Sequence, residues 1–228
     1  ADYLPGLASL TVVESSLFFG SPTVPGTYTY TVTTTGSCSS VSATGTLNVT
    51  AAANLVLSSV AGSNAQSVCR NVSITNITYT VNGATGATVT GLPAGVTGVY
   101  NAGVVTISGI PTVNGVYNYT VTTSGGCGIG TATGSITVQS QTITLTSGIV
   151  SPSLCINSSM TNIVFTLGGT ATGATITGLP SGVTYVVSGS TLTISGTPTV
   201  AGTFPYTINT TGNCATATTT GTITVLNN

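Results

Sequence analysis

Residues 91–97 read Gly-Leu-Pro-Ala-Gly-Val-Thr, and residues 178–184 read Gly-Leu-Pro-Ser-Gly-Val-Thr. A second stretch recurs in the same way, with Ile-Ser-Gly-Ile-Pro-Thr-Val at 107–113 and Ile-Ser-Gly-Thr-Pro-Thr-Val at 194–200. Both recurrences have a spacing of 87 residues, and Gly-Ser-Pro-Thr-Val at 20–24 lies 89 residues before its own counterpart. A period of this length is that of a small domain, because the repeats of solenoid proteins are much shorter.

The repeat divides the chain into two complete copies and part of a third. We predict complete modules at 53–139 and 140–228, and the C-terminal part of a truncated module at 1–52. The connections between them are very short, so we expect a stiff series of modules without a flexible linker. Because the first copy lacks its upstream part, Cys38 is expected to be unpaired by truncation of a longer protein.

Each complete copy is predicted to consist of β-strands. Short segments rich in Thr, Val and Tyr are separated by Gly, Asn or Pro. In the second copy we predict seven strands, at 55–59, 74–81, 87–90, 96–100, 104–108, 116–123 and 134–138. Tyr117, Tyr119 and Val121 alternate with polar residues, as on a strand with one buried face. The predicted fold class is all-β, with tandem immunoglobulin-like β-sandwich modules of about 87 residues.

The combined motif resembles a known type of module. Gly-Leu-Pro-x-Gly-Val-Thr, followed by Ile-Ser-Gly-x-Pro-Thr-Val and an alternating strand with Tyr, is similar to the Ig-like and PKD-like repeats of giant secreted surface proteins of Bacteroidota, including adhesins and gliding proteins. The resemblance implies a large tandem-repeat parent that is exported and carried extracellularly on the cell surface. Many PKD and cadherin relatives bind calcium at module junctions. No acidic residue follows Glu14, so that property is not carried over.

Charged side chains are almost absent. Of 228 residues, only Asp2, Glu14 and Arg70 carry a formal charge, and there is no His. General acid–base catalysis, metal centres and calcium sites need the missing residue types, and nucleic-acid affinity depends on Lys and Arg. No apolar run reaches the length of about 18 residues that indicates a membrane-spanning helix. We therefore predict a non-enzymatic protein with no cofactor, no metal and no nucleic-acid partner, which does not span a membrane.

The neutral composition also favours association. Chains with little net charge repel one another weakly, and sheet edges without Lys lack a common block against edge pairing. We predict a structural repeat segment of a large extracellular surface protein, acting as a fibre, filament or adhesin stalk. Its expected partners are copies of itself or other surface-protein chains. The alternative is a carbohydrate-binding or ice-binding module array that contacts surface polysaccharide, with Tyr100 and Tyr185 as the aromatic residues available to a ligand.

Each complete copy contains one pair of cysteines, Cys69 with Cys127 and Cys155 with Cys214. Disulfides fit an extracellular compartment, although free buried thiols are the other interpretation. Pairing within each copy is the favoured prediction, and a bond from Cys69 to Cys214 between neighbouring copies is the alternative. The choice depends on the chain path. If the chain reverses at every connection, the two cysteines of one copy lie at opposite ends of the sandwich, too far apart to bond. They come together if residues 91–95 continue a strand across a bulge instead of reversing it.

Overall fold

The computed structural model describes residues 7–12, 15–35 and 39–227, which form β-strands and their connections. None of these residues lies in a helix, so the described chain has no helix that could cross a membrane. The predicted all-β fold class is confirmed.

Two separate hairpins form the first part of the chain. The first joins two antiparallel strands of six residues, and the second joins two of eight residues. The strands are β1 (Leu7–Val12), β2 (Ser15–Gly20), β3 (Gly26–Thr33) and β4 (Ser42–Val49).

Residues 54–139 form a sandwich of two four-stranded sheets. The strands are β5 (Asn54–Leu57), β6 (Ala65–Cys69), β7 (Ile77–Asn82), β8 (Gly86–Thr90), β9 (Val96–Asn101), β10 (Val104–Gly109), β11 (Gly115–Ser124) and β12 (Thr131–Gln139). Their orders are β5-β7-β10-β9 and β6-β12-β11-β8. The sequence predicts seven strands and the structure has eight. The additional strand is β6.

The repeated Gly-Leu-Pro-x-Gly motif moves the chain from one sheet to the other. It lies between β8, which pairs with β11, and β9, which pairs with β10. Gly91 and Gly95 have φ values of +81° and +87°, in the left-handed region that a side chain disfavours. The counterparts Gly178 and Gly182 have φ values of +89° and +86°. The crossover favours glycine at both positions, which explains why both copies of the motif keep it.

Residues 141–226 repeat the sandwich with the same topology. The strands are β13 (Gln141–Ser147), β14 (Ser153–Cys155), β15 (Ile163–Gly169), β16 (Ala171–Thr177), β17 (Val183–Ser188), β18 (Thr191–Gly196), β19 (Gly202–Gly212) and β20 (Thr218–Leu226). The sheet orders are β13-β15-β18-β17 and β14-β20-β19-β16. Each of the four-stranded sheets draws its strands from one of the two segments, 54–139 or 141–226, and not from both.

The two sandwiches have matching cores, built from alternating residues of their long strands. In the first, the fully buried residues include Tyr119, Val121 and Ile136, and the counterparts in the second are Tyr206, Ile208 and Ile223. Each tyrosine hydroxyl reaches a loop. Tyr206 Oη donates to the Val150 carbonyl at 2.7 Å, and Tyr119 Oη donates to the Asn64 carbonyl at 3.4 Å. Tyr119 Oη also lies 3.1 Å from Tyr79 Oη of β7. Burial raises the pKa of both Tyr119 and Tyr206, because a phenolate would lose its hydration.

The first two hairpins correspond to the last four strands of a complete sandwich. Tyr30 of β3 occupies the repeat position of Tyr119 and Tyr206. Its side chain is 40% exposed, whereas each counterpart is 1% exposed. The described residues of this segment therefore do not enclose the core position that both later sandwiches bury.

Candidate functional site

A disulfide links the two sandwiches. Cys69, the last residue of β6, is bonded to Cys214 in the hairpin between β19 and β20. The two Cα atoms are 5.2 Å apart, within the usual range, although 145 residues separate the cysteines in sequence. This junction is the candidate functional site, because it joins neighbouring repeats covalently.

The favoured prediction of pairing within each copy is wrong, and the structure has the alternative bond. β6 runs parallel to β12, which places Cys69 beside Gln139 at the end of β12. Strand β12 begins at Thr131, and Cys127 lies four residues before that start. A strand from Thr131 to Gln139 is roughly 26 Å long at about 3.3 Å per residue. Disulfides need Cα atoms within about 7 Å, so Cys69 and Cys127 cannot meet.

A buried glutamine holds the hairpin that carries Cys214. Gln141 Nε2 donates to the carbonyl oxygens of Asn213 and Cys214 at 2.9 and 3.0 Å. Both partners are acceptors, which fixes the amide nitrogen toward the hairpin. The Thr170 hydroxyl also donates to the Asn213 carbonyl. Gln141 is 5% exposed, and its Oε1 has no partner among the described residues. The second sandwich therefore presents Cys214 from a fixed turn.

The short connection between the sandwiches is hydrogen-bonded on both sides. On the first side, Arg70 N donates to the Gln139 carbonyl at 2.7 Å, and Asn114 Nδ2 donates to Ser140 Oγ at 2.6 Å. On the second side, Thr170 N donates to the Ser140 carbonyl at 3.2 Å. The disulfide thus reinforces a connection that already has few free torsions.

Two further cysteines are free and exposed. Cys127 lies in the hairpin between β11 and β12, where its carbonyl accepts a bond from Ala53 N at 2.8 Å. Cys155 ends β14 and pairs with Leu226 of β20. The predicted disulfide role of these two cysteines within their own copies is therefore also wrong. Cys38, predicted to be unpaired, lies outside the described residues.

A shallow cleft of about 460 Å³ opens beside Cys127. It is lined by Thr50, residues 83–85 and residues 125–127. Across residues 7–12, 15–35 and 39–227, no group of three or more His, Cys, Asp or Glu side chains is placed to hold a metal ion. Within those ranges Arg70 is the single charged residue, and its side chain is exposed. The cleft thus offers shape and a thiol, but no charged side chain among its lining residues.

The two tyrosines predicted to meet a ligand are half-buried. Tyr100 of β9 pairs with Val105, and Tyr185 of β17 pairs with Ile194. Both rings pack against the core of their own sandwich. Neither is presented as an open aromatic surface of the kind that stacks on a sugar, so the structure adds no support to the carbohydrate-binding alternative.

Comparison with solved structures identifies the architecture. The I-band fragment I67–I69 of titin matches with a TM-score of 0.62 and 13% identity, over 97% of this chain and 82% of that one. An E-to-A variant of the same three Ig domains matches with a TM-score of 0.63 over the same shares. The fold is immunoglobulin-like. No protein-family model and no curated sequence matches the chain. The predicted Ig-like repeat fold is confirmed, whereas the resemblance to Bacteroidota surface proteins stays a prediction.

Proposed function

We propose that this chain is a structural repeat segment of a large extracellular surface protein, serving as a fibre or stalk that carries tension. The observation on which this depends is the Cys69–Cys214 bond across the junction of two immunoglobulin-like sandwiches. A disulfide of this kind persists in an oxidising compartment, which supports a location outside the cell. The role requires no catalytic group.

The disulfide changes the path that a pulling force takes through the chain. Tension applied at the two ends enters the first sandwich, reaches Cys69 and crosses directly to Cys214. Residues 70–213 are then outside the path, so neither sandwich can be drawn out to its full length while the bond is intact. The covalent bridge therefore limits how far the segment stretches under load.

Self-association is the second part of the proposal. Val99 of β9 and Val186 of β17 are counterparts in the repeat, and each lies on the edge strand of a sheet. Their side chains are 58% and 63% exposed, and neither strand has a charged residue. Apolar, uncharged edges are templates for pairing with another chain. These edges support lateral packing of copies in a filament or surface layer.

Single-molecule stretching tests the first part. The bridge short-circuits a sequence separation of 145, so reduction should lengthen the unfolded chain by about 500 Å at roughly 3.5 Å per residue. Cys69→Ser should show the longer extension without reductant. Cys155→Ser is the matched control and should stretch like the parent chain. Equal extension of the oxidised and reduced chains would refute the tension-carrying role of the bond.

Sedimentation of the purified chain tests the second part. We expect concentration-dependent association that the variant Val99→Lys with Val186→Lys weakens, because charge on an edge strand opposes pairing. Val60→Lys with Val113→Lys, at two exposed valines outside the strands, adds the same charge away from these edges and should leave the association unchanged. A clean monomer at high concentration would remove self-association and leave a solitary stalk.

A further inference from the structure

Cys155 occupies the same position in its sandwich as Cys69 does in the preceding one. Each cysteine ends a strand that runs parallel to the C-terminal strand of its sandwich, β12 or β20. In the strand register, Cys69 lies opposite Gln139 and Cys155 lies opposite Leu226. The following backbone N–H bonds the same partner carbonyl in both copies, at 2.7 Å to Gln139 and 2.9 Å to Leu226. The two strand ends therefore have the same local geometry.

The residues after the two cysteines extend this equivalence. Asn71 and Asn157 both have positive φ, at 64° and 59°, which is uncommon for a residue with a side chain. Their backbone N–H groups donate to Pro111 and Pro198, at 2.8 and 2.9 Å. The turn that fixes Cys69 is thus rebuilt around Cys155, although Cys69 is bonded and Cys155 is free.

Cys127 matches Cys214 in the same way. Both lie in the hairpin between the last two strands of a sandwich. Each hairpin is closed by a buried threonine whose hydroxyl accepts a backbone N–H, at 2.7 Å for Thr123 and 2.8 Å for Thr210. Cys127 and Cys155 are therefore the unbonded counterparts of two cysteines that bond each other in this chain.

We propose that Cys155 is one half of a second inter-module disulfide, and that the other half is the hairpin cysteine of a further copy of this module, docked in series at that end of 141–226. Cys127, the hairpin cysteine of the sandwich at 54–139, is the matching half for the strand-end cysteine of a copy docked at the opposite end of the series. The inference rests on the proposed role as a serial structural repeat. It makes the Cys69–Cys214 bond one member of a series in which every junction is closed by both the main chain and a disulfide.

The bond forms by exchange with a low-molecular-weight disulfide such as oxidised glutathione. The Cys155 thiolate first displaces one glutathione and forms a mixed disulfide. The hairpin thiolate of the incoming module then attacks the Cys155 sulfur and releases the second glutathione. One disulfide forms and one is reduced, and the two protons lost by the protein thiols end on two glutathione molecules.

The surroundings of the two thiols fit a copy of this module. Cys127 and Cys155 each lie at the end of their sandwich opposite the bridged junction, so they do not approach each other as Cys69 and Cys214 do. The cleft beside Cys127 leaves room for an incoming strand end. Leu226 beside Cys155 is 50% exposed, an apolar contact surface where the bridged junction has Gln139.

An extended chain tests the proposal. Leu226 is joined directly to a second copy of residues 140–228, which reproduces the Gln139–Ser140 spacing of the existing junction. After oxidation with glutathione, the denatured protein is alkylated without reductant and mapped by mass spectrometry. We expect loss of alkylation at Cys155 and a peptide linking Cys155 to the appended counterpart of Cys214. In the 228-residue chain Cys155 should be fully alkylated.

Two controls make the outcome specific. Cys155→Ser should leave the appended hairpin cysteine open to alkylation, and Cys69→Ser should not prevent the Cys155 bond. The proposal is overturned if Cys155 stays alkylated while Cys69–Cys214 forms, or if Cys155 bonds to Cys127. Either result would leave the stretching experiment, and the role proposed from it, unaffected.

Discussion

Removing the disulfide should destabilise both sandwiches at once. The variant Cys69→Ser with Cys214→Ser breaks the bond and leaves no new free thiol at the junction. When the second sandwich opens alone, Cys69 stays beside Gln139, so the bond closes a loop of about 75 residues up to Cys214. When the first sandwich opens alone, Gln141 still holds Cys214, and the loop has about 72 residues.

The chain-entropy relation converts each loop into about 4.5 kcal/mol of stability at 25 °C. This is a large share of the roughly 5–15 kcal/mol that stabilises a typical domain. The expected effect is therefore similar in both sandwiches, because the same bond restricts the unfolded chain of either one.

Native-state hydrogen exchange in increasing guanidinium separates the two contributions. Peptides from 54–139 and from 141–226 report the opening free energy of each sandwich. We expect both to fall by several kcal/mol in the double variant and to stay unchanged in Cys127→Ser and Cys155→Ser. A loss confined to one sandwich, or a loss below about 1 kcal/mol in both, would refute the reasoning.

Three smaller perturbations test the packing around the junction and core. Gln141→Leu removes two hydrogen bonds to the Cys214 hairpin, so the glutathione equilibrium of the disulfide should shift roughly tenfold toward the reduced form, about 1.4 kcal/mol, measured by thiol alkylation. Gly221→Ala places a methyl group about 2.5 Å from the Val150 carbonyl and should cost about 1–3 kcal/mol in denaturant unfolding, whereas Gly173→Ala, which meets one flexible hydroxyl, should cost much less. Because the pKa of Tyr206 is raised in the folded state, stability should hold below about pH 10 and fall above it, and Tyr206→Phe should flatten that alkaline fall in pH-dependent unfolding by up to about 1.4 kcal/mol per pH unit.

The strongly alternating strands could be predicted from sequence because their residues show which face is buried. Tyr117, Tyr119 and Val121 point to one side in β11, and the structure buries Tyr119 and Val121 fully. The spacing of the repeat likewise predicts the counterparts that fill the second core. The local pattern was sufficient to predict a strand where the alternation of apolar and polar residues within one long strand shows its buried face.

The strand β6 could not be found by the same means, and the disulfide prediction failed with it. Its sequence, Ala-Gln-Ser-Val-Cys, has no fully buried residue, and its partner β12 lies about 70 residues further along the chain. A short parallel pairing of this kind is a property of the assembled sheet. Without β6, Cys69 has no fixed end of the sandwich, so spacing alone could not separate the two pairings.

The bond between Cys69 and Cys214 also makes a closed covalent ring of most of both sandwiches. A single peptide-bond cut anywhere between residues 70 and 213 opens the ring but leaves one connected molecule. Proteases attack exposed loop tips first, and the loops of both sandwiches fall largely inside the ring. A chain nicked once inside the ring would stay in one piece, and its separation would require a second cut or a reductant.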